Sequence, residues 1–208
     1  MPVPEAYVGG CFVKIAADKV FFTGGLIDND PLIINDRTWI FDLNTLTWTQ
    51  SRPMPTGRSG SACGYLDATN EVMIVGGSEA DGRSVSTSII FSVEVRYETN
   101  IQSLHNCCSP GKSRFSAVPK TLFTVSFQTE TWRNGPNLPL EENNPSYTPY
   151  NGSFLLAGGY SPGNYEDKVF SYDQNTKEFV QHRSLKTGRT NPFAVVVPDE
   201  FVTCRRRK

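Results

Sequence analysis

Five cysteines, two histidines and two matched arginines are the side chains with which this chain could do chemistry. Cysteine and histidine together raise zinc, copper or disulfide chemistry. Spacing supports no metal: His105 and His182 stand alone, Cys107 and Cys108 are vicinal, and no His/Cys arrangement has zinc or copper spacing. Cys11 and Cys63 each stand 13 residues before a diglycine, Gly24-Gly25 and Gly76-Gly77. Equal offsets imply equal environments, so the two read as small buried positions one repeat apart, two free core thiols rather than a bridge. No Walker-type loop, Gly-x-Ser-x-Gly or His-Glu-x-x-His occurs, and the acid pair Glu141-Glu142 reads as a solvated loop. The expectation is a chain with no metal, no cofactor and no catalytic constellation. What remains is Thr56-Gly57-Arg58-Ser59-Gly60 and Thr187-Gly188-Arg189-Thr190, two matched connections that each present one arginine. A guanidinium there takes a carboxylate in two-pronged fashion, or pairs with a neighbouring acid.

The elements that position these residues form a repeat. Val20-Phe21-Phe22-Thr23-Gly24-Gly25 returns as Val72-Met73-Ile74-Val75-Gly76-Gly77 and as Phe154-Leu155-Leu156-Ala157-Gly158-Gly159. Each is an apolar run stopped by a sharp turn, which reads as a buried strand. Beyond it lie a polar loop, a β-rich run and an aromatic. Phe41 and Trp48 are seven apart, as are Tyr172 and Phe179, with Asn44-Thr45 and Asn175-Thr176 midway. Asp-x-Asn-Thr between β-rich runs predicts a hairpin. Each unit thus holds about four strands.

Composition agrees with a β-rich soluble fold and excludes other classes. The chain has 208 residues, 38% hydrophobic and 20% charged, with 17 glycines and 14 prolines. Twenty basic against 21 acidic side chains give no electrostatic footprint for nucleic acid. No apolar run reaches the roughly 18–20 residues a bilayer requires, and Met1-Pro2-Val3-Pro4-Glu5 lacks the features of a signal peptide.

Four strands, a diglycine, a paired aromatic and the 52-residue interval from Gly24 to Gly76 resemble the kelch repeat, one blade of a β-propeller. The resemblance implies an all-β, kelch-type β-propeller fragment of four-stranded antiparallel blades. Blade one spans about 3–52, blade two about 53–136, blade three about 137–184, and a truncated fourth about 185–208. Asn191 to Val197 looks like the first strand of that fourth blade and Glu200 to Thr203 like its second, but Cys204-Arg205-Arg206-Arg207-Lys208 stands where a diglycine is due. Three blades and a half fall short of the four to eight that close a ring, which implies either a piece of a longer protein or self-association through open edges.

Blade two also carries an insert. Trp132 lies 41 residues beyond Phe91 where seven is expected, and removing the 34 residues 95–128 restores the spacing. Two explanations stand. Val95-Arg96 and Phe127-Gln128 can be encoded by GTAAGA and TTTCAG, which resemble splice borders, so the segment reads as a retained intron; otherwise it is a long functional loop.

The resemblance implies a non-catalytic protein-interaction module. Kelch propellers bind partners on the face formed by inter-blade connections and the loops after each diglycine. The positions that map there are Arg58, Ser59, Ser78, Tyr160 and Arg189, with Leu26 beside them. Arg58 and Ser59 resemble the Arg-Ser-Gly that grips acidic peptides, although the third connection, Glu141-Glu142-Asn143-Asn144, carries no arginine. The expected partner is a protein or peptide, with no nucleic acid and no membrane segment. The alternative is a fragment of a kelch-containing enzyme whose active site lies in other blades. A galactose-oxidase-like copper site needs two histidines, and an epimerase-like site needs acidic or basic groups at the central channel. Unpaired thiols favour a cytoplasmic, reducing compartment; the sequon Asn151-Gly152-Ser153 counts only if the protein is secreted.

Overall fold

A computed structural model describes residues 8–29, 32–93, 96–99, 123–126 and 130–197. His105, Cys107, Cys108, Glu200–Thr203 and the basic tail lie outside the described residues. The chain divides into two compact units, 1–93 with 130–208, and 94–129. Within the smaller one, two strands pair as an antiparallel hairpin, Arg96 opposite Ser126 and Thr99 opposite Phe123.

Eighteen strands are described, and no helix among them. They are β1 (Cys11–Ala16), β2 (Lys19–Thr23), β3 (Leu26–Asn29), β4 (Leu32–Ile34), β5 (Thr38–Asp42), β6 (Thr47–Ser51), β7 (Ala62–Leu66), β8 (Glu71–Val75) and β9 (Ser88–Ser92). β10 (Arg96–Thr99) and β11 (Phe123–Ser126) form the small hairpin unit. The remainder are β12 (Thr131–Asn134), β13 (Ser146–Tyr150), β14 (Ser153–Ala157), β15 (Tyr160–Ser161), β16 (Asn164–Tyr165), β17 (Val169–Asp173) and β18 (Glu178–Gln181). Three four-stranded antiparallel sheets, β1-β2-β5-β6, β7-β8-β9-β12 and β13-β14-β17-β18, stand as successive propeller blades. In the second, Phe91 sits directly opposite Trp132, just as Phe41 opposes Trp48 and Tyr172 opposes Phe179. The outer strand of blade two therefore takes its ordinary place although residues 94–129 intervene.

Period-two alternation explains the packing. Along β8, Val72 and Ile74 join Phe21, Met54, Ile89 and Phe91 in the core between blades one and two. Met73 and Val75 face the other way, joining Leu138, Phe154, Leu156 and Phe170 between blades two and three. A strand buried on both faces must be apolar throughout, which is why β8 reads as an unbroken apolar run after Glu71. The far face of blade one stays aromatic, with Phe12 on Phe22 at 4.3 Å and Phe41 on Trp48 at 4.7 Å.

The turns follow from side-chain chemistry. Asp42 Oδ1 accepts the Asn44 and Thr45 N–H groups at 2.9 and 3.0 Å, and Asp173 Oδ1 accepts those of Asn175 and Thr176 at 2.8 and 3.4 Å. These are the hairpins the Asp-x-Asn-Thr pattern predicts. At the diglycines a β-carbon is excluded. One on Gly24 would meet the Arg58 carbonyl at 2.5 Å, one on Gly76 the Glu142 carbonyl at 2.5 Å, and one on Gly158 the Arg189 carbonyl at 2.6 Å, all at positive φ.

Two expectations are corrected. Cys11 and Cys63 are not free thiols but a disulfide joining the inner strands of blades one and two, with Cα atoms 5.9 Å apart. Their equal offset from a diglycine conceals a register difference: Cys11 pairs with Thr23, the residue before Gly24, whereas Cys63 pairs with Ile74, two before Gly76. A bulge between Lys14 and Ala16 and a shorter hairpin shift blade one by a residue. One residue of slip turns a side chain to the opposite face, so the two sulfurs meet across the interface instead of occupying equivalent places. The reducing-compartment expectation loses its basis with them. Second, Asn191 to Val197 forms no strand. Phe193 is 93% exposed, as expected of an apolar segment with no ladder partner among the described residues.

Candidate functional site

One end of the three blades is organised by repeated backbone bonds. The carbonyls of Arg58, Glu142 and Arg189 each accept the N–H of the second glycine of a diglycine, Gly25, Gly77 and Gly159, at 2.7, 2.8 and 2.8 Å. These three residues are therefore structural equivalents. Two positions later a belt runs from blade to blade: Gly60 N–H to Gly9 O at 2.8 Å, Asn144 N–H to Gly60 O at 2.7 Å, and Asn191 N–H to Asn144 O at 3.1 Å. All four belt residues have positive φ, which glycine and asparagine tolerate best. Asn191 thus occupies the start of a fourth repeat.

The belt places the sequence-predicted residues differently from one another. Ser59 and Ser78 form a two-way backbone bridge at 3.0 and 2.8 Å, and Asn143 and Tyr160 form another at 2.9 and 2.7 Å. Asn143 Nδ2 ties the bridges together by donating to Ser78 Oγ at 2.7 Å, while Ser59 Oγ donates to Val8 O at 3.2 Å. Ser59, Ser78 and Tyr160 are therefore brought into one strip, with Asn143 as a member that sequence reading missed. Val8 and Leu26 make the matching bridge in blade one at 3.0 and 2.7 Å. The Tyr160 ring packs against Tyr165, centroids 5.9 Å apart, and Tyr165 is 66% exposed. Arg189 is exposed at the next connection, its Nε donating to Thr187 O at 3.3 Å.

Arg58 does not join this surface. It is 3% exposed; Nη1 donates to Thr87 O at 2.6 Å and Gly76 O at 3.3 Å, and Nη2 donates to Thr87 Oγ1 at 2.6 Å. Glu79 lies 3.6 Å away. Burial draws the guanidinium below its usual basicity and Glu79 opposes that. Arg58 fastens one blade to the next, beside a 230 Å³ cleft lined by Pro55, Thr56, Thr87 and Asn137.

Glu142, read from sequence as part of a solvated loop, is the residue most at variance with its expectation. Glu141 is exposed but Glu142 is 1% exposed, because it takes the place that Arg58 holds one blade earlier. Its Oε2 has no hydrogen-bond partner. Burial, reinforced by the charge of Glu166, pushes its carboxyl up to about 8.

A second cavity of about 450 Å³ opens where the three inner strands converge. Phe12, Tyr65, Tyr147 and Tyr150 line it together with Lys14 and Asp67, and Val196 reaches it from the carboxyl-terminal segment. Burial raises the Tyr147 phenol, whose oxygen lies 3.3 Å from the Phe12 N–H. Among the described residues no group of three or more His, Cys, Asp or Glu side chains gathers in metal-binding fashion, and no helix is long and apolar enough to cross a membrane.

No family model matches this chain, and no curated protein does. Among solved structures, that of YjhT is similar, with a TM-score of 0.62 and 12% identity over 92% of this chain and 59% of that one. A likeness at that identity is one of fold: an all-β chain of four-stranded antiparallel propeller blades. The chain spans about three-fifths of the length of YjhT.

Proposed function

We propose that this chain is a kelch-type propeller module that binds a protein or peptide through the strip made by Ser59, Ser78, Asn143 and Tyr160, with Arg189 at its edge. The observation that carries the reading is the pair of linked backbone bridges, Ser59 with Ser78 and Asn143 with Tyr160, topped by the outward Tyr160–Tyr165 pair. Aromatic rings with a polar tip, held on a rigid scaffold, supply contact area at small entropic cost. Arg58 contributes rigidity rather than contact, so a grip on acidic groups rests on Arg189 alone. The test is affinity capture of partners from the source tissue with wild type, a Tyr160→Ala/Arg189→Glu double variant, and an Asn175→Ala control in a hairpin turn of blade three. Partners lost from the double variant and kept by the control support the reading; identical partners in all three sink it.

A second reading, a portion of a propeller enzyme, is favoured by the channel cavity, which brings Lys14 and Asp67 together with three tyrosines. An acid and a base at a channel are what epimerase-like proton transfer requires. Exchange of solvent deuterium into a panel of sugars and sugar acids, followed by NMR and lost on Asp67→Asn, would favour the enzyme. No exchange by the wild-type chain would count against it.

A further inference from the structure

Arg58 and Glu142 occupy equivalent positions with opposite charge, and that contrast carries an inference independent of any partner. In blade two the place is filled by a cation. The Arg58 guanidinium is surrounded by oxygen, namely Gly76 O, Thr87 O, Thr87 Oγ1 and, at 3.6 Å, Glu79. In blade three the counterpart carbonyls are those of Gly158 and Lys168, joined by the same bond, Gly158 N–H to Lys168 O at 3.0 Å, that joins Gly76 to Thr87 at 3.1 Å. The backbone bond recurs, but the residue in the equivalent place carries an acceptor, whose Oε1 lies against Gly159.

No hydrogen-bond donor reaches Glu142 Oε2. A β-carbon on Gly159 would stand 2.6 Å from Glu142 Oε1, so the carboxyl is pressed onto the diglycine. Glu166 acts on it electrostatically, and Ser161 Oγ donates to Glu166 Oε1. Lys168 does not neutralise the group, for its ammonium is held by Asp167 at 2.7 Å. Glu166 N–H bonds Gly159 O at 2.9 Å, so Glu142, Glu166 and the Ser161 hydroxyl bonded to Glu166 all gather at this diglycine, and Glu142 is 1% exposed with Oε2 unpartnered.

We propose that Glu142, Glu166 and Ser161, with the neighbouring diglycine carbonyls, form a divalent-cation site that does for blade three what the Arg58 guanidinium does for blade two. Oxygen ligands select a hard cation, and an irregular set of carboxylate, hydroxyl and carbonyl groups suits Ca²⁺ better than the strict octahedron of Mg²⁺. The enclosure of Glu142 favours a bare ion over a lysine or arginine inserted by a partner.

The test is calorimetric and thermal-shift titration of the full chain, stripped with chelator, using CaCl₂ and then MgCl₂. Saturable binding of one Ca²⁺ per chain with a rise of several degrees in Tm is expected, weaker with Mg²⁺, lost in Glu142→Gln and Glu166→Gln and kept in Glu141→Gln. Glu142→Arg, which sends a guanidinium to the same oxygens, should raise Tm in chelator and abolish the response to Ca²⁺. Absence of any saturable response in the wild-type chain, or an equal response in Glu142→Gln, overturns the proposal even if the arginine variant does not fold.

Discussion

The Cys11–Cys63 disulfide offers the sharpest test of how the blades are joined. It closes a loop across a sequence separation of 52 residues and ties two inner strands whose sulfurs are buried in the inter-blade core. Replacing both cysteines by alanine, or reducing the bond, returns loop-closure entropy to the unfolded chain. For a loop of this length that entropy is about 14 cal/mol/K, or about 4 kcal/mol at 25 °C. In a chain of 208 residues, each kcal/mol moves Tm by about 2–4 °C, so a fall of about 8–16 °C is expected. Urea unfolding followed by tryptophan fluorescence, with and without reductant, provides the assay. Wild type in reductant should unfold near the Cys11→Ala/Cys63→Ala variant, and the variant should ignore reductant. A non-reduced digest should yield the linked Cys11 and Cys63 peptides. Coincident curves for wild type and variant without reductant, together with absence of the linked peptide, would refute both the register argument and the covalent tie.

The remaining expectations concern single residues. In chelator, Glu142 should make stability fall with pH: its carboxyl is raised from 4.5 to about 8 in the folded chain, so its favourable contribution is complete below about 4.5 and lost as pH climbs toward about 8, at up to about 1.4 kcal/mol per pH unit. Glu142→Gln should flatten that slope, as read by urea midpoints across the range. Arg58→Ala removes the donors to Thr87 and Gly76 and should cost about 3 kcal/mol in the same assay, because buried acceptors are left unpaired. Gly158→Ala, at φ +66° with the Arg189 carbonyl 2.6 Å from the new methyl carbon, should cost about 2 kcal/mol or more. Tyr160→Ala should leave Tm within about 1 °C of wild type, since the ring is partly exposed, while lowering partner capture.

Much of the scaffold could be read from residue types. The apolar runs before Gly24, Gly76 and Gly158 are the second strands of three blades, because an apolar strand that ends in two glycines has few other uses. Phe91 and Trp132 could be matched across the insert, because a cross-strand aromatic pair leaves a fixed spacing in the sequence. The site was less legible. Ser59, Ser78 and Tyr160 fall on one strip, but its tie, Asn143, gives no signal in a run of acids and amides. Arg58 presents the sequence of a binding residue and the burial of a structural one, and only its bonds to Thr87 and Gly76 distinguish the two.

The misreadings of Cys63 and Glu142 share a cause in the length of the first hairpin of each blade. Arg58 precedes Gly76 by 18 residues, whereas its equivalent Glu142 precedes Gly158 by 16. The difference is the turn: four residues separate Leu66 from Glu71, but two separate Tyr150 from Ser153. Blade one, with its bulge, lies between them. Distances counted back from a diglycine therefore drift by one or two residues from blade to blade. Backbone bonds do not drift, since each second glycine finds the same carbonyl whatever the turn length. A drift of one exchanges the faces of a strand, which joined two cysteines into a bridge. A drift of two hid which residue of the third connection stands in the place of Arg58. In a repeat protein of this kind, the fixed point for aligning functional residues is the hydrogen bond between blades, and residue counts serve only once the hairpins are known to be equal.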